Sequence, residues 1–303
     1  MNPELYILGS NSATPTRERH PTSQILKIGA DKIMIDCGEG TQIQLIRYGI
    51  RHTGISHICI SHLHGDHYFG LIGLLSSMSL AGRKEPLTLI APPELQLILD
   101  IQIKYGGMQL CFDIIFKPTN PNAQELVLQT DTFEISTFPL KHRIHCTGFL
   151  IKETLKERAL NMEGVIKYNV SVSEYKNIKK GSDYIQADGE LIENKLISFD
   201  PKPIISYAFC SDTIFDESIV EYIKNVDLLY HEATYMQKHK DRATLYYHST
   251  AEQAATIAKK ATVKKLIIGH FTSRYDHLDP LLLEAQKIFE NTELAIEGNK
   301  FLL

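Results

Sequence analysis

The sequence predicts an α/β layered fold built on mixed sheets, and three observations predict it. Apolar runs of strand length alternate with segments of helical length along the whole chain. Two runs, "QELVLQT" and "TFEISTFPLKH", read as antiparallel neighbours among strand-then-helix pairs, so the sheets are mixed. No repeat or low-complexity tract interrupts them, and 303 residues, 43% hydrophobic and 22% charged, suffice for a large core.

"ELYILGS" reads as the first strand, and "SQILKIGADKIMIDCG" as a hairpin turning at Gly29-Ala30-Asp31. "EGTQIQLIRYG" has helical character and a stop at Gly49. The strand "ISHICIS" precedes the helical stretch "YFGLIGLLSSMSLAG", which ends at Gly82. "PLTLIAP" and "PELQLILDIQIKYGG" repeat that pairing. Beyond the antiparallel pair come the strands "ISYAFCSDT" and "VDLLYHEAT", the helix "STAEQAATIAKKA", the strand "VKKLIIGH" and a last helix from Pro280 to Glu290.

Residues 152 to 201 depart from this pattern: they are charged and poor in long apolar runs. Residues 152–180 carry seven basic and four acidic side chains, whereas 181–200 carry one basic and five acidic. The expected organisation is one domain over 1–303 with an inserted arm at 152–201 and a small hairpin near Asp188-Gly189. By composition alone, a solvated surface insertion is the plainer description.

Composition narrows the function classes. No apolar run approaches the ~20 residues that span a bilayer, so no membrane partner is expected. The opening "MNPELYILGS" lacks the basic start and apolar core of a signal peptide. Five scattered cysteines without a C-x-x-C pair suit reduced thiols in a cytoplasm. Net charge is −4 with an isoelectric point near 6.4, so nucleic-acid binding would need local basic patches.

The densest chemistry lies in "SHLHGDHYFG", residues 61–70. Positions two apart in extended chain point the same way, so His62 and His64 suit one ion. Asp66 and His67 arrive as the chain turns into a helix and point elsewhere, which suits a second ion. Imidazole and carboxylate donors without cysteine favour zinc, with manganese or iron as the other candidates. His142, Asp212 and His270 each follow an apolar strand and are candidates to complete a binuclear site. A surface histidine patch is the plain alternative.

With these residues in view, the sequence resembles the metallo-β-lactamase superfamily, and within it the ribonuclease Z family of tRNA 3′-processing endonucleases. "HLHGDH" carries the superfamily likeness; "HEAT" (231–234), "HST" (248–250), "SDT" (211–213) and "PTRERH" (15–20) carry the family likeness. The last resembles a P-x-K-x-R-N loop that senses the CCA end of tRNA, with Arg17 standing for Lys and His20 for Asn. The arm at 152–201 sits where the family places its tRNA-binding arm, and its "IKKGSDYIQADGELI" looks familial.

The resemblance implies an αββα sandwich and two zinc ions per subunit. It implies that His62, His64 and His142 hold one ion, that Asp66, His67 and His270 hold the other, and that Asp212 bridges them. His145 rivals His142, and the spacing from His142 to Gly148 favours His142. His231 is expected to be a buried, hydrogen-bonded histidine and not a ligand.

The implied reaction is hydroxide attack on the phosphodiester after the discriminator nucleotide of precursor tRNA. His248, held by Glu232, is expected to protonate the departing 3′ oxygen, and Asp66 to accept the nucleophile's proton. The alternative for Glu232 and His248 is a structural ion pair beside a helix cap from Ser249 or Thr250. Arg17, Arg19, Lys179 and Lys180 are the RNA-binding candidates. A cytoplasmic homodimer is the expected assembly. Two rivals remain: a binuclear hydrolase of the same fold acting on small phosphodiesters or thioesters, and a non-catalytic RNA-binding paralogue. The second fits poorly, because all seven ligand positions are filled.

Overall fold

Two seven-stranded sheets face each other, and period-2 alternation along their strands dictates which side chains meet. The structure is a computed structural model and describes residues 2–303. Its strands run β1 (Glu4–Gly9), β2 (Ser23–Ile28), β3 (Asp31–Cys37), β4 (His57–Cys59), β5 (Leu87–Ala91), β6 (Ile114–Pro118), β7 (Glu125–Gln129), β8 (Phe133–Pro139) and β9 (Thr147–Glu153). Four two-residue strands follow: β10 (Ala159–Leu160), β11 (Tyr184–Ile185), β12 (Leu191–Ile192) and β13 (Ser198–Phe199). The last are β14 (Ser206–Cys210), β15 (Leu228–Glu232), β16 (Lys265–Gly269), β17 (Thr292–Leu294) and β18 (Lys300–Leu302).

The first sheet has the order β18-β1-β2-β3-β4-β5-β6, antiparallel as far as β3 and parallel beyond it. The second has the order β17-β16-β15-β14-β9-β8-β7, with β14 to β17 parallel and β9 antiparallel to β14. Ile33 and Ile35 of β3 and Ile267 of β16 point between the sheets, where they join Phe133, Phe149, Phe209 and Tyr230. Met34 faces outward onto Leu71, Leu74, Leu75 and Met78 of the helix Leu71–Leu80. Leu266 and Ile268 face outward onto Ala254, Ala255 and Ala258 of the helix Ala251–Lys260. The layers are therefore helix, sheet, sheet and helix, the αββα sandwich expected of the superfamily.

Some boundaries differ from the sequence expectation. The helical stretch "YFGLIGLLSSMSLAG" is broken near its start: a short helix, Gly65–Tyr68, begins within "HLHGDH" and ends at Tyr68, and a second runs Leu71–Leu80. The break falls at Gly70, whose N–H donates to Cys37 O at 2.9 Å; a Cβ there would lie 2.2 Å from Gly38 O. The last helix is Asp279–Gln286, shorter than 280–290, with Pro280 in its first turn where no amide donor is needed.

Contacts divide the chain into two units, one reaching Lys152 and resuming at Ile205, the other Glu153–Ile204. The second unit has its own small core of Val165, Val170, Ile178, Ile192 and Ile197. Asn194 is buried within it and donates to Ile178 O and Ser182 O. β11 and β12 form a hairpin whose turn carries Gly189 at φ +91°, a left-handed conformation natural to glycine. No helix among the described residues is long and apolar enough to cross a membrane.

Candidate metal centre and catalytic site

Parallel strands deliver their C-terminal ends to one edge, and that edge holds most of the site. Glu232 ends β15, while Asp212 and His270 follow β14 and β16 by two residues and one. From the facing sheet, β4 runs through Ile60 and Ser61 to the buried His62. His64 immediately precedes the helix Gly65–Tyr68, which carries Asp66 and His67. His142 follows β8, and His248 lies between the helices Lys240–Tyr246 and Ala251–Lys260.

The donor atoms of the expected ligands fall into two groups, and His248 forms a third, overlapping one with Asp212 and His270. His62 Nε2 and His142 Nε2 lie 3.1 and 3.2 Å from His64 Nδ1, and 3.5 and 3.8 Å from Asp212 Oδ2. Asp66 Oδ2 lies 3.5 Å from His67 Nε2 and 3.3 Å from His270 Nε2. Those two nitrogens lie 3.6 and 3.2 Å from Asp212 Oδ1. Asp212 thus turns one oxygen to each group. Donors gathered this closely need shared protons or a cation among them.

Two further observations fit a divalent metal. His67 Nε2 and Asp212 Oδ1 are buried with no hydrogen-bond partner among the described residues, an arrangement costing roughly 1–3 kcal/mol per atom. Electrostatics agree. Burial disfavours charge on His67, yet the carboxylates of Asp66, Asp212 and Asp36 push its titration well above the usual histidine range. The pocket attracts positive charge. Burial together with the neighbouring His67 holds His62 well below its usual value, and burial takes His142 down to about 4. Both rings are therefore neutral, the form that binds metal.

A second layer of residues fixes which nitrogen of each ring faces inward. Asp36 Oδ2 accepts from His67 Nδ1 at 2.7 Å and from the Ser61 hydroxyl at 3.0 Å. With its proton committed to Asp36, Ser61 Oγ accepts from His62 Nδ1 at 3.0 Å. Across the site, Glu232 Oε1 accepts from His248 Nδ1 at 3.0 Å, and Oε2 accepts from the Thr234 hydroxyl at 2.8 Å. Thr234 Oγ1 then lies 3.0 Å from His270 Nδ1 as its acceptor. Each buried carboxylate orients two histidines, one directly and one through a hydroxyl. His142 Nδ1 donates to Tyr247 O at 3.0 Å, leaving Nε2 for the cluster.

Asp36, Ser61, Thr234 and Tyr247 were not among the candidates drawn from sequence. Asp36 left a trace, an acid closing the apolar run "KIMID", where a charge is rarely buried without a partner. Asp36, Tyr247 and His270 all have φ near +60°, a strained conformation for residues other than glycine. The structure also separates the rivals. His145 Nε2 lies 2.8 Å from Thr119 Oγ1 and belongs to neither donor group, and His231 is buried with Nδ1 donating to Glu232 O.

Glu232 is fully buried and also accepts from the backbone N–H groups of Thr213, Thr234 and Ser249. Burial works against the charged form of His248, but Glu232 and Asp212 raise it to about 9. Next to it, Thr250 caps the helix Ala251–Lys260 in a capping box with Gln253. The pair and the cap therefore coexist.

The cleft over these donors is about 430 Å³ and is lined by His64, Asp66, Asp212 and His248 together with Ala13, Thr14, Pro15, Phe69 and Arg143. Ala13 N–H donates to Asp66 Oδ2 at 2.7 Å, so the loop containing "PTRERH" reaches the site through its backbone. Arg17 and Arg19 line a different hollow with Ser273, Asp276 and His277. The Arg19 guanidinium is bound to Asn11 Oδ1 and Tyr275 O. Lys179, half-buried, ends the helix Tyr175–Lys179 in the second unit, and Lys180 follows it, exposed.

Comparison with known proteins agrees with this geometry. A family model described as anti-Pycsar protein Apyc1 matches residues 3–171. Ribonuclease Z of Cytophaga hutchinsonii is 47% identical, covering 99% of this chain and 96% of its own length. Ribonuclease Z of Bacteroides fragilis is 42% identical, covering 97% of each. The crystal structure of human tRNase Z, short form, superposes with a TM-score of 0.71 over 98% of each chain at 24% identity, which establishes the shared fold. Identity of this order across nearly all of both chains, on a sandwich whose sheet edge gathers histidines and aspartates into two groups, means that this chain belongs to the ribonuclease Z family.

Proposed function

We propose that this protein is a metal-dependent endoribonuclease that removes the 3′ trailer from tRNA precursors. One observation carries the binuclear reading: Asp212 presents Oδ2 to the donors of His62, His64 and His142, and Oδ1 to those of His67 and His270. The second group is completed by Asp66. Zinc suits this imidazole–carboxylate set. Two such ions supply Lewis-acid charge that acidifies water and stabilises a phosphodiester undergoing in-line displacement.

The chain's own residues move the protons. Asp66 takes the proton of the attacking water. The bond between phosphorus and the discriminator's 3′ oxygen breaks, and His248 gives that oxygen a proton from Nε2. His248 Nδ1 remains fixed to Glu232, which keeps the ring oriented through the step. The products are a tRNA with a 3′-OH and a trailer with a 5′-phosphate.

Lys179 and Lys180 are the arm's candidate phosphate contacts, with Arg17 as the exposed cation of the loop. A homodimer is supported by Leu97, Ile101 and Tyr105, large exposed side chains on one face of the helix Glu94–Tyr105. Light scattering tests the dimer: a monomeric mass at working concentration refutes it.

The deciding experiment for function is cleavage of a precursor carrying a 3′ trailer, with both product ends mapped. Cleavage directly after the discriminator is expected. Turnover of a small phosphodiester without precursor cleavage would favour a general hydrolase on this fold.

A further inference from the structure

Phe69 is an exposed aromatic ring in a cleft otherwise lined largely by polar and ionisable groups. It is 63% exposed, although it lies in the turn directly after the helix that carries Asp66 and His67. The ring is also held in place. It lies against Gly65, where a Cβ would come within 2.3 Å of Phe69 Cε2, and Tyr68 meets it edge-on at 5.0 Å between centroids. Gly70, the next residue, is fixed against the backbone of Cys37 and Gly38. A rigid apolar face kept in water beside a phosphodiester-cleaving centre serves little purpose in folding.

Arg143, next to His142 in sequence, is the cleft's one arginine or lysine. It is exposed and makes no hydrogen bond or ion pair among the described residues. The cleft thus offers one π-face and one unpaired cation, the two groups that a single-stranded nucleotide engages through its base and its phosphate.

We infer that Phe69 stacks the base of the first trailer nucleotide and that Arg143 binds a phosphate of the same strand. This deepens, and rests on, the proposed processing of tRNA precursors. The trailer side is favoured for a physical reason. The discriminator base can stack on the end of its own acceptor helix, whereas the first trailer base has no such platform. Stacking tolerates any base but favours purines, so this subsite sets rate by trailer sequence without a hydrogen-bond code.

The test uses precursors whose first trailer nucleotide is A, G, C, U or abasic, and a parallel set abasic at the discriminator. Wild type should cleave purine-starting trailers fastest and the trailer-abasic precursor about tenfold or more slowly. Phe69→Ala should flatten that series while keeping the response to the discriminator set, and Phe69→Tyr should restore it. For Arg143→Ala, binding of a cleavage-resistant precursor should lose about one unit of salt slope. A flat wild-type series, or a series unchanged in Phe69→Ala, overturns the inference while leaving precursor processing intact. Loss of sensitivity at the discriminator instead would place the stacked base on the wrong side of the cut and overturns it too. Failure of wild type to cut any precursor would overturn the proposed function, and this subsite with it.

Discussion

Asp36 Oδ2 accepts a hydrogen bond from His67 Nδ1 at 2.7 Å, and the same oxygen reaches His62 through the Ser61 hydroxyl. One buried carboxylate therefore orients a ring in each donor group. On the two-ion site proposed above, Asp36→Ala should weaken binding of each ion by about 10- to 100-fold. Competition against a chelator of known affinity measures this, and loss confined to one ion would contradict the shared role.

The two hydroxyl relays separate the groups. On the same two-ion proposal, Ser61→Ala should weaken binding at the His62 group, and Thr234→Val at the His270 group. In calorimetric metal titrations, each variant should lose affinity at one of two binding steps. Equal effects on both steps in both variants would show that the relays do not act separately.

Glu232 and His248 differ in what their removal should do. Glu232 accepts five hydrogen bonds while fully buried, so Glu232→Gln should lose about 1–3 kcal/mol of stability as well as activity. His248→Ala should lower single-turnover cleavage by about 10²–10⁴-fold with metal content unchanged. Loss of metal from His248→Ala would move that residue from proton donor to ligand.

Removing metal should destabilise the fold. His67 Nε2 and Asp212 Oδ1 are buried without a hydrogen-bond partner among the described residues, so ligand-linked stabilisation is large at this edge. Metal at about 1,000 times its Kd should add about 4 kcal/mol. Denaturant titrations with and without chelator check this, and coincident curves would refute it.

Asp227 offers a pH-dependent contribution remote from the donor groups. It accepts from Ser206 N–H and hydroxyl at 2.8 Å and from Lys264 at 2.6 Å, bracing the starts of three strands. Burial opposes its ionisation, but Lys264 and Ser206 lower its titration below the usual value. The stabilisation is therefore complete above the unfolded carboxylate value near pH 4 and fades as pH falls through the folded one. Asp227→Asn should cost about 1 kcal/mol at neutral pH and progressively less in acid. A cost independent of pH would point to packing instead.

The α/β layering with mixed sheets was legible because strand- and helix-length runs are local, and the sandwich followed from the family resemblance. Pleat geometry puts Leu266 and Ile268 opposite Ile267, but which face turns inward is set by the second sheet. The residues of "HLHGDH", with His142, Asp212 and His270, were legible because donors follow apolar strands. Asp36, Thr234 and Tyr247 were not. Their roles depend on a left-handed backbone at Asp36 and Tyr247, and on sheet-to-sheet placement that no short pattern encodes. The split at Gly70 was hidden for a related reason, since it answers to the backbone of Cys37 and Gly38, over thirty residues earlier.

β9 and β14 are adjacent antiparallel strands, and Ser206 pairs with Lys152 at the point where the chain leaves for residues 153–204 and returns. Topologically, those residues occupy the place of a hairpin loop. Loop-closure entropy grows only with the logarithm of length, so enlarging this connection from a few residues to about fifty costs only about 2–3 kcal/mol, and the segment's own core offsets part of that. Lengthening, trimming or exchange at this address leaves the strand register, and the Asp212 that follows β14, untouched. The segment can therefore vary in length and sequence without any change at the donor groups of the sheet edge.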